Sequence, residues 1–345
     1  MAAMRTAHLV GAAVLAAGMV MMGPGATAGA CACGGIVSPD LDARVTGEQS
    51  LVAIDGNAET IVMRLDLHSV ADNAALIVPT PAPATATAAN PGLFTELERL
   101  SATRIEPGAS RHSGLDEAGA VPGGGPTVVA QVQLGPIEAT TLTGGDLTGV
   151  REWLDSNGYT MRPEVTAQLD PYLKQGWSFV AMRLTGEQPL NGQLDPVRLD
   201  FTSDKLVYPM RMSAAAKDTQ RVVVYTLAQH RMQRTDADAT RQDIAVDYAG
   251  SVQGRTSDQT LTELSAKNPY LTRISTTITE PSSITTDFVF GPAPTDDPYQ
   301  RVIGYGENTD RTNALLLALG ASVAVIIVAT AVGVIWTLRY RRSVR

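Results

Sequence analysis

Cysteine and histidine most readily become nucleophiles, proton carriers or metal ligands, and this 345-residue chain holds two of the first and four of the second. Cys31 and Cys33 form a Cys-x-Cys pair. No further cysteine or histidine lies nearby to complete a four-ligand site, so no metal is expected there. A disulfide between the two would close a tight, strained ring. Ala28-Gly29-Ala30-Cys31 also resembles a lipidation box, with Ala28 where a leucine is expected. Disulfide and lipidation both stay open for Cys31 and Cys33. His68, His112 and His230 fall at a strand end, in a loop and at a second strand end, a pattern of surface residues rather than of a metal triad.

Other reactive patterns fail on spacing. Gly250-Ser251-Val252-Gln253-Gly254 misplaces the serine for a G-x-S-x-G elbow. The chain has no Walker loop, no G-x-G-x-x-G and no H-E-x-x-H, and no cofactor is expected. Asp236-Ala237-Asp238 and Asp296-Asp297 lack the spaced oxygen ligands and glycine turn of a calcium loop and are expected to be solvated. Asp66, Asp200 and Asp247 lie in or beside strand runs and are expected on solvent faces. Catalytic residues stay unassigned, since paired carboxylates can be distant in a chain.

The elements that must position these residues start with the two apolar ends. Arg5, an apolar run from Leu9 to Met22, and small residues up to Ala30 have the order of a cleavable signal peptide, assigned to 1–30. Residues 314–338 are 25 uncharged residues, long enough at ~1.5 Å per residue to span a bilayer. Arg339, Arg341, Arg342 and Arg345 follow and mark the tail, 339–345, as cytoplasmic. The expected address is the cell membrane, by a single pass, with residues 31–290 outside and 291–313 as a stalk. A net charge of −8 argues against nucleic acid as a partner. The membrane is the expected partner, with envelope polymer or another membrane protein as further ones.

Within 31–290, strand runs flank Asp55-Gly56, a hairpin signal, and recur at Ala75–Val78, 127–134, Ile137–Leu142, 177–184, Val197–Phe201, 205–208, 221–229, 271–278 and 285–290. Helices are expected near 147–154 behind Asp146, at 164–174 behind Pro163, and near 258–267. Pro79–Gly92 and 105–127 read as loops. Strands and helices mixed in this way give an α+β fold with largely antiparallel sheets. Four short matches recur in order, among them Met63 with Met182 and Pro79 with Pro209. They suggest two similar halves, 49–162 and 176–290, related by a pseudo-two-fold axis. Pro79 and Pro209 are each expected to end a strand or lie at an edge. Beyond Pro209, an edge strand is expected to bury Met210 and Met212 and point Arg211 outward.

Cys33-Gly34-Gly35, Glu48–Ile54 before Asp55-Gly56, Leu76–Pro81, Gly176-Trp177, Val197 through Tyr208-Pro209 into Met210-Arg211, and Tyr225–His230 together resemble a bacterial family, the secreted, membrane-anchored domain of unknown function 2330. The resemblance covers most of the extracytoplasmic chain and implies the same topology. It carries over no catalytic or binding residues. Family members often have a further cysteine after the Gly-Gly pair, where Ile36 and Val37 stand here. Two functional classes follow: an extracytoplasmic binding or structural module, favoured by the missing nucleophile signatures, and an unrecognised envelope-directed hydrolase. A deep pocket lined by convergent Asp, Glu or His would favour the second.

Overall fold

The computed structural model describes residues 30–31, 34–40, 43–105, 131–134, 137–142, 148–159, 163–186 and 189–303. In chain order these form β1 (Ala30–Cys31), β2 (Gly34–Val37), β3 (Arg44–Asp55), β4 (Ala58–His68), β5 (Asn73–Thr80), β6 (Thr85–Ala88), α1 (Gly92–Leu100), β7 (Arg104–Ile105), β8 (Gln131–Leu134) and β9 (Ile137–Leu142). There follow α2 (Thr148–Ser156), α3 (Pro163–Lys174), β10 (Ser178–Thr185), β11 (Asn191–Gln193), β12 (Val197–Thr202), β13 (Leu206–Tyr208), β14 (Gln220–Ala228) and β15 (Met232–Arg234). β16 (Asp243–Ser251), α4 (Gln259–Lys267), β17 (Tyr270–Ile278), β18 (Phe288–Pro292), β19 (Tyr299–Gln300) and β20 (Val302–Ile303) complete the set.

The described strands form four sheets, a three-stranded β13-β18-β15, a two-stranded β20-β7 and two large ones in which alternation puts apolar side chains on both faces. The six-stranded sheet has the order β1-β2-β5-β10-β9-β8 and is antiparallel throughout. The nine-stranded sheet runs β19-β16-β17-β14-β3-β4-β12-β6, with β11 also paired to β4. Its single parallel pair is β3 with β14. The β3–β4 hairpin turns at Gly56, whose φ of +63° suits glycine.

The inner faces meet in one core, with Leu76 and Val180 from the six-stranded sheet and Val52, Ile61 and Val224 from the nine-stranded one. The outer face of the nine-stranded sheet packs Leu51, Val62 and Tyr225 under α1, whose Leu93, Phe94, Leu97 and Leu100 are buried, and under Leu261 of α4. The outer face of the six-stranded sheet packs Ile77 and Phe179 under α2 and α3. The layers are therefore helices, sheet, sheet, helices, an α+β fold with mostly antiparallel strands as expected. The Gly-Gly pair has a steric reason. A Cβ on Gly34 would sit 2.4 Å from the Ile77 carbonyl oxygen, and one on Gly35 2.7 Å from Met212 Cε.

Two similar halves are not shown. β4, with Met63, lies between β3 and β12, whereas β10, with Met182, lies in the other sheet between β5 and β9. Strands of the two proposed halves pair with one another instead: Pro79 of β5 faces Phe179 of β10. Pro209 ends its strand as expected, whereas Pro79 stays inside β5, paired with β10 on one side only. Pro79 lies past the last β2–β5 pair, and Pro209 follows β13. Arg211 departs from expectation. Residues Arg211–Ala215 form a 3-10 turn rather than an edge strand, which buries Met210 and Met212 and turns Arg211 onto Asp287.

Residues 292–303, assigned by sequence to a stalk, contact the domain: β19 pairs with β16, and β20 pairs with β7. Among the described residues no helix is long and apolar enough to cross a membrane. The expected span at 314–338 and the signal residues before Ala30 lie outside the described residues.

Candidate functional site

α4 is fixed at its start by two carboxylates. Asp258 caps it by accepting the Leu261 N–H at 3.0 Å. Glu96, from α1, accepts the N–H groups of Ser257 and Asp258 at 2.7 Å each. Burial opposes the Glu96 charge, but these bonds and Arg99 outweigh it and hold its carboxyl below the usual range. The helix is thereby set over the outer face of the nine-stranded sheet.

Between α4 and β3, β4 and β12 lies a cleft of about 240 Å³. Strand alternation supplies its floor. Val197, Leu199 and Phe201 of β12 point into the core, so Arg198 and Asp200 point out, toward α4. Arg198 Nε lies 2.8 Å from Asp200 Oδ2 and 3.0 Å from Oδ1. Thr60 Oγ1 donates to Asp200 Oδ1 at 2.6 Å. From the helix wall, Glu263 Oε2 meets Arg198 Nη1 at 3.4 Å. Lys267 Nζ reaches Asp55 Oδ2, and Asn268 Nδ2 donates to the Ile54 carbonyl at 3.1 Å. Burial works against the Arg198 charge, but its bonds to Asp200 and Glu263 prevail and raise its pKa. The bond to Asp55 raises that of Lys267.

The cleft thus presents acceptors and donors in alternation, each acid already held by a cation. Among the described residues no cysteine or histidine lines it, and the one hydroxyl, on Thr60, is committed to Asp200. The arrangement can bind hydroxyl and amide groups through the lone pairs and N–H groups left over.

Of the residues singled out by sequence, Asp200 alone lies in this cleft, with 37% of its side chain exposed. Asp66 is half-buried on β4, and burial raises its pKa. Asp247 contradicts its expected solvent face. It is 5% exposed, at a bulge in β16, where it binds Arg301 and Ser275 and lies 3.7 Å from Arg273. Asp236 and Asp238 are not solvated loop residues either. Asp236 is paired with Arg234, which stacks on Phe288. Asp238 binds Arg241 and accepts from Thr285 and Thr286. Burial pushes the Asp238 carboxyl up, and those bonds overcome it and hold it at about 2. Asp296 is exposed as expected and contacts His230 Nδ1 at 2.8 Å. His68 is exposed at the end of β4. Cys31 lies in β1, while Cys33 and His112 lie outside the described residues.

Sequence reasoning missed three buried acids around β13 and the turn after it. Glu59, 1% exposed, accepts the Val207 N–H at 2.9 Å, and burial pushes its carboxyl up to about 8. Glu48 accepts the Tyr208 hydroxyl. Asp287 accepts from Tyr172 Oη at 2.5 Å, from the Met210 N–H at 2.8 Å and from Arg211 Nε at 2.8 Å. Glu48 and Glu59 fall on the inner face by strand alternation, which was a usable signal; their partners lie far away in the chain, which was not.

Among solved structures, baculovirus P35 aligns with 75% of this chain and 97% of its own, at 8% identity and a TM-score of 0.35, too low to support a shared fold. No curated protein matches the chain. The Gly-Gly pair pressed against β5 and the hairpin at Gly56 fall within residues 27–291, which match the model of a family described as "uncharacterized protein conserved in bacteria" (DUF2330), and the chain belongs to that family.

Proposed function

We propose that the protein is an extracytoplasmic binding module, held at the cell membrane by one C-terminal helix, whose α4 cleft takes one unit of a hydroxyl-rich envelope polymer. The observation that carries this reading is the pairing of every cleft acid with a cation: Asp200 and Glu263 with Arg198, and Asp55 with Lys267. A general base or nucleophile must be free to change protonation or bonding, and acids clamped in this way favour recognition over hydrolysis. A volume of about 240 Å³ falls below the ~300–1,000 Å³ of drug-sized sites, which fits a single polymer unit. The two apolar ends of the sequence support the address.

The test is titration of the full chain, in detergent, with soluble fragments of cell-envelope polymer. The reading expects saturable binding that Asp200→Ala and Arg198→Ala each weaken at least about tenfold, the scale of a lost charge-assisted hydrogen bond. Shortened fragments appearing over time in the same mixture would favour the hydrolase alternative. Binding unaffected by both substitutions would remove the cleft from the proposal.

A further inference from the structure

One face of the domain combines exposed arginines with exposed apolar side chains. Among the described residues the exposed large hydrophobics are Val70, Tyr299 and Val302, and two of these three lie here, at 43% and 47% exposure. Around them stand Arg99, Arg104, Arg255 and Arg301, all exposed. They are joined in space by backbone pairing. The Arg104 N–H donates to the Arg301 carbonyl at 2.9 Å, and Val302 is paired with Arg104. Arg99 reaches the Arg255 carbonyl, and Arg255 lines a hollow of about 410 Å³ with Tyr248 and Tyr299. The acids that touch this group are buried: Glu96 under Arg99 and Asp247 under Arg301. Among the described residues no acid pairs with Arg104 or Arg255; Arg255 donates instead to Tyr248 Oη and the Ser251 carbonyl. The exposed acids beside this group are engaged elsewhere: Glu98 pairs with Arg64, and Asp296 and Asp297 are turned to His230, Arg231 and Thr295. Arg104 and Arg255 are thus exposed cations that no acid among the described residues pairs, on a chain whose net charge is −8.

We propose that this face lies against the anionic lipid headgroups of the membrane that anchors the chain. The proposal rests on the C-terminal anchor of the previous subsection. Only ten residues, Gly304 to Asn313, separate β20 from the apolar run that starts at Ala314, a reach of at most about 40 Å. The end of β20 is therefore held near the bilayer, and the arginine face surrounds that end. Guanidinium groups bind phosphate in bidentate fashion, and tyrosine favours the headgroup layer. Each arginine near an anionic surface raises the docked population by about fivefold, and the tether supplies a high effective concentration.

Hydrogen exchange of the full chain reconstituted in vesicles tests this. Phosphatidylcholine vesicles are compared with vesicles that also contain phosphatidylglycerol. The expected result is that segments 99–105 and 298–303 exchange at least about fivefold more slowly on the anionic vesicles, and that high salt removes the difference. Arg104→Gln with Arg255→Gln should remove it as well, without altering exchange elsewhere. A chain that washes off both kinds of vesicle in alkaline carbonate overturns the anchor and the docking together. A chain that stays inserted but exchanges equally on both overturns the docking alone. Equal protection by inorganic phosphate without anionic lipid, or protection that grows with protein density on neutral vesicles, would assign the face to free phosphate or to a second copy and also overturn it.

Discussion

Arg198 with Asp200 in the α4 cleft, and Arg211 with Asp287 beneath α3, meet at the same distance, 2.8 Å from Nε to Oδ2, in surroundings that differ. Asp287 is 8% exposed; its Oδ1 accepts from two backbone N–H groups and a tyrosine hydroxyl, and its Oδ2 from a guanidinium. Arg211 is stacked 4.2 Å from the centroid of Tyr172. Both partners are closed off from solvent, at 12% and 8% exposure, so the pair ties the turn after β13 to α3. Asp200 is 37% exposed and keeps acceptor capacity turned to the open cleft. An ion pair therefore says little about function until its remaining valences are followed.

The contrast can be broken most directly at the buried pair. Asp287→Ala strands the Arg211 charge and two backbone donors and should cost about 3–5 kcal/mol in denaturant unfolding. A loss below ~1 kcal/mol would mean that the turn is held by packing alone.

Glu59 comes next, because it is a buried acid without a cation. Its folded pKa, about 8, lies above the ordinary value of 4.5, so the native state holds the proton more tightly than the unfolded chain. Stability is then greatest below the unfolded pKa and is lost as pH rises through about 8. At pH 7 the proton must be kept at a cost of about 3 kcal/mol, from ~1.4 kcal/mol per pKa unit. Glu59→Gln should recover part of this and flatten the pH profile of unfolding between 4.5 and about 8. An unchanged profile would show that the carboxyl is solvated.

Asp238 runs the other way. Its folded pKa, about 2, lies below the ordinary value of 3.8, so its contribution is present above pH 3.8 and is lost as pH falls through about 2. Asp238→Asn should remove that part of the acid slope in a pH-dependent melting series. Retention of the full slope would place the acid sensitivity in other carboxylates.

The smallest expected effect on stability sharpens the comparison from its other side. Asp200→Ala should change the unfolding free energy by no more than about 1 kcal/mol, the range of exposed pairs, while it weakens ligand binding. A large loss of stability would make the cleft pair structural, like the buried one.

What could be read in the sequence was local. The hairpin at Asp55-Gly56 and helices α3 and α4 follow from turn chemistry and capping at Gly56, Pro163 and Asp258. α1 was hidden by the proline-rich stretch before it, although Leu93, Leu97 and Leu100 carry helical spacing. β16 is edge-like and bulged, and its Ile244, Val246 and Tyr248 alternate too weakly to stand out. Site residues were less legible. Asp247 was expected in solvent because its partners come later in the chain, Arg273 from β17 and Arg301 from between β19 and β20. The cleft needs β4, β12 and α4 together, and no spacing within one segment encodes that meeting.

The parallel β3–β14 seam has a consequence for how the chain reaches this state. It pairs Glu48–Ala53 with Val222–Leu227 across the middle of the largest sheet. The β3–β4 hairpin can form soon after synthesis, yet one long edge of β3 stays without its neighbour until most of the domain has followed. Closing so distant a pair is entropically slow, and an unpaired edge invites wrong partners meanwhile. The seam thus sets the length of time during which the unfinished domain is most open to aggregation.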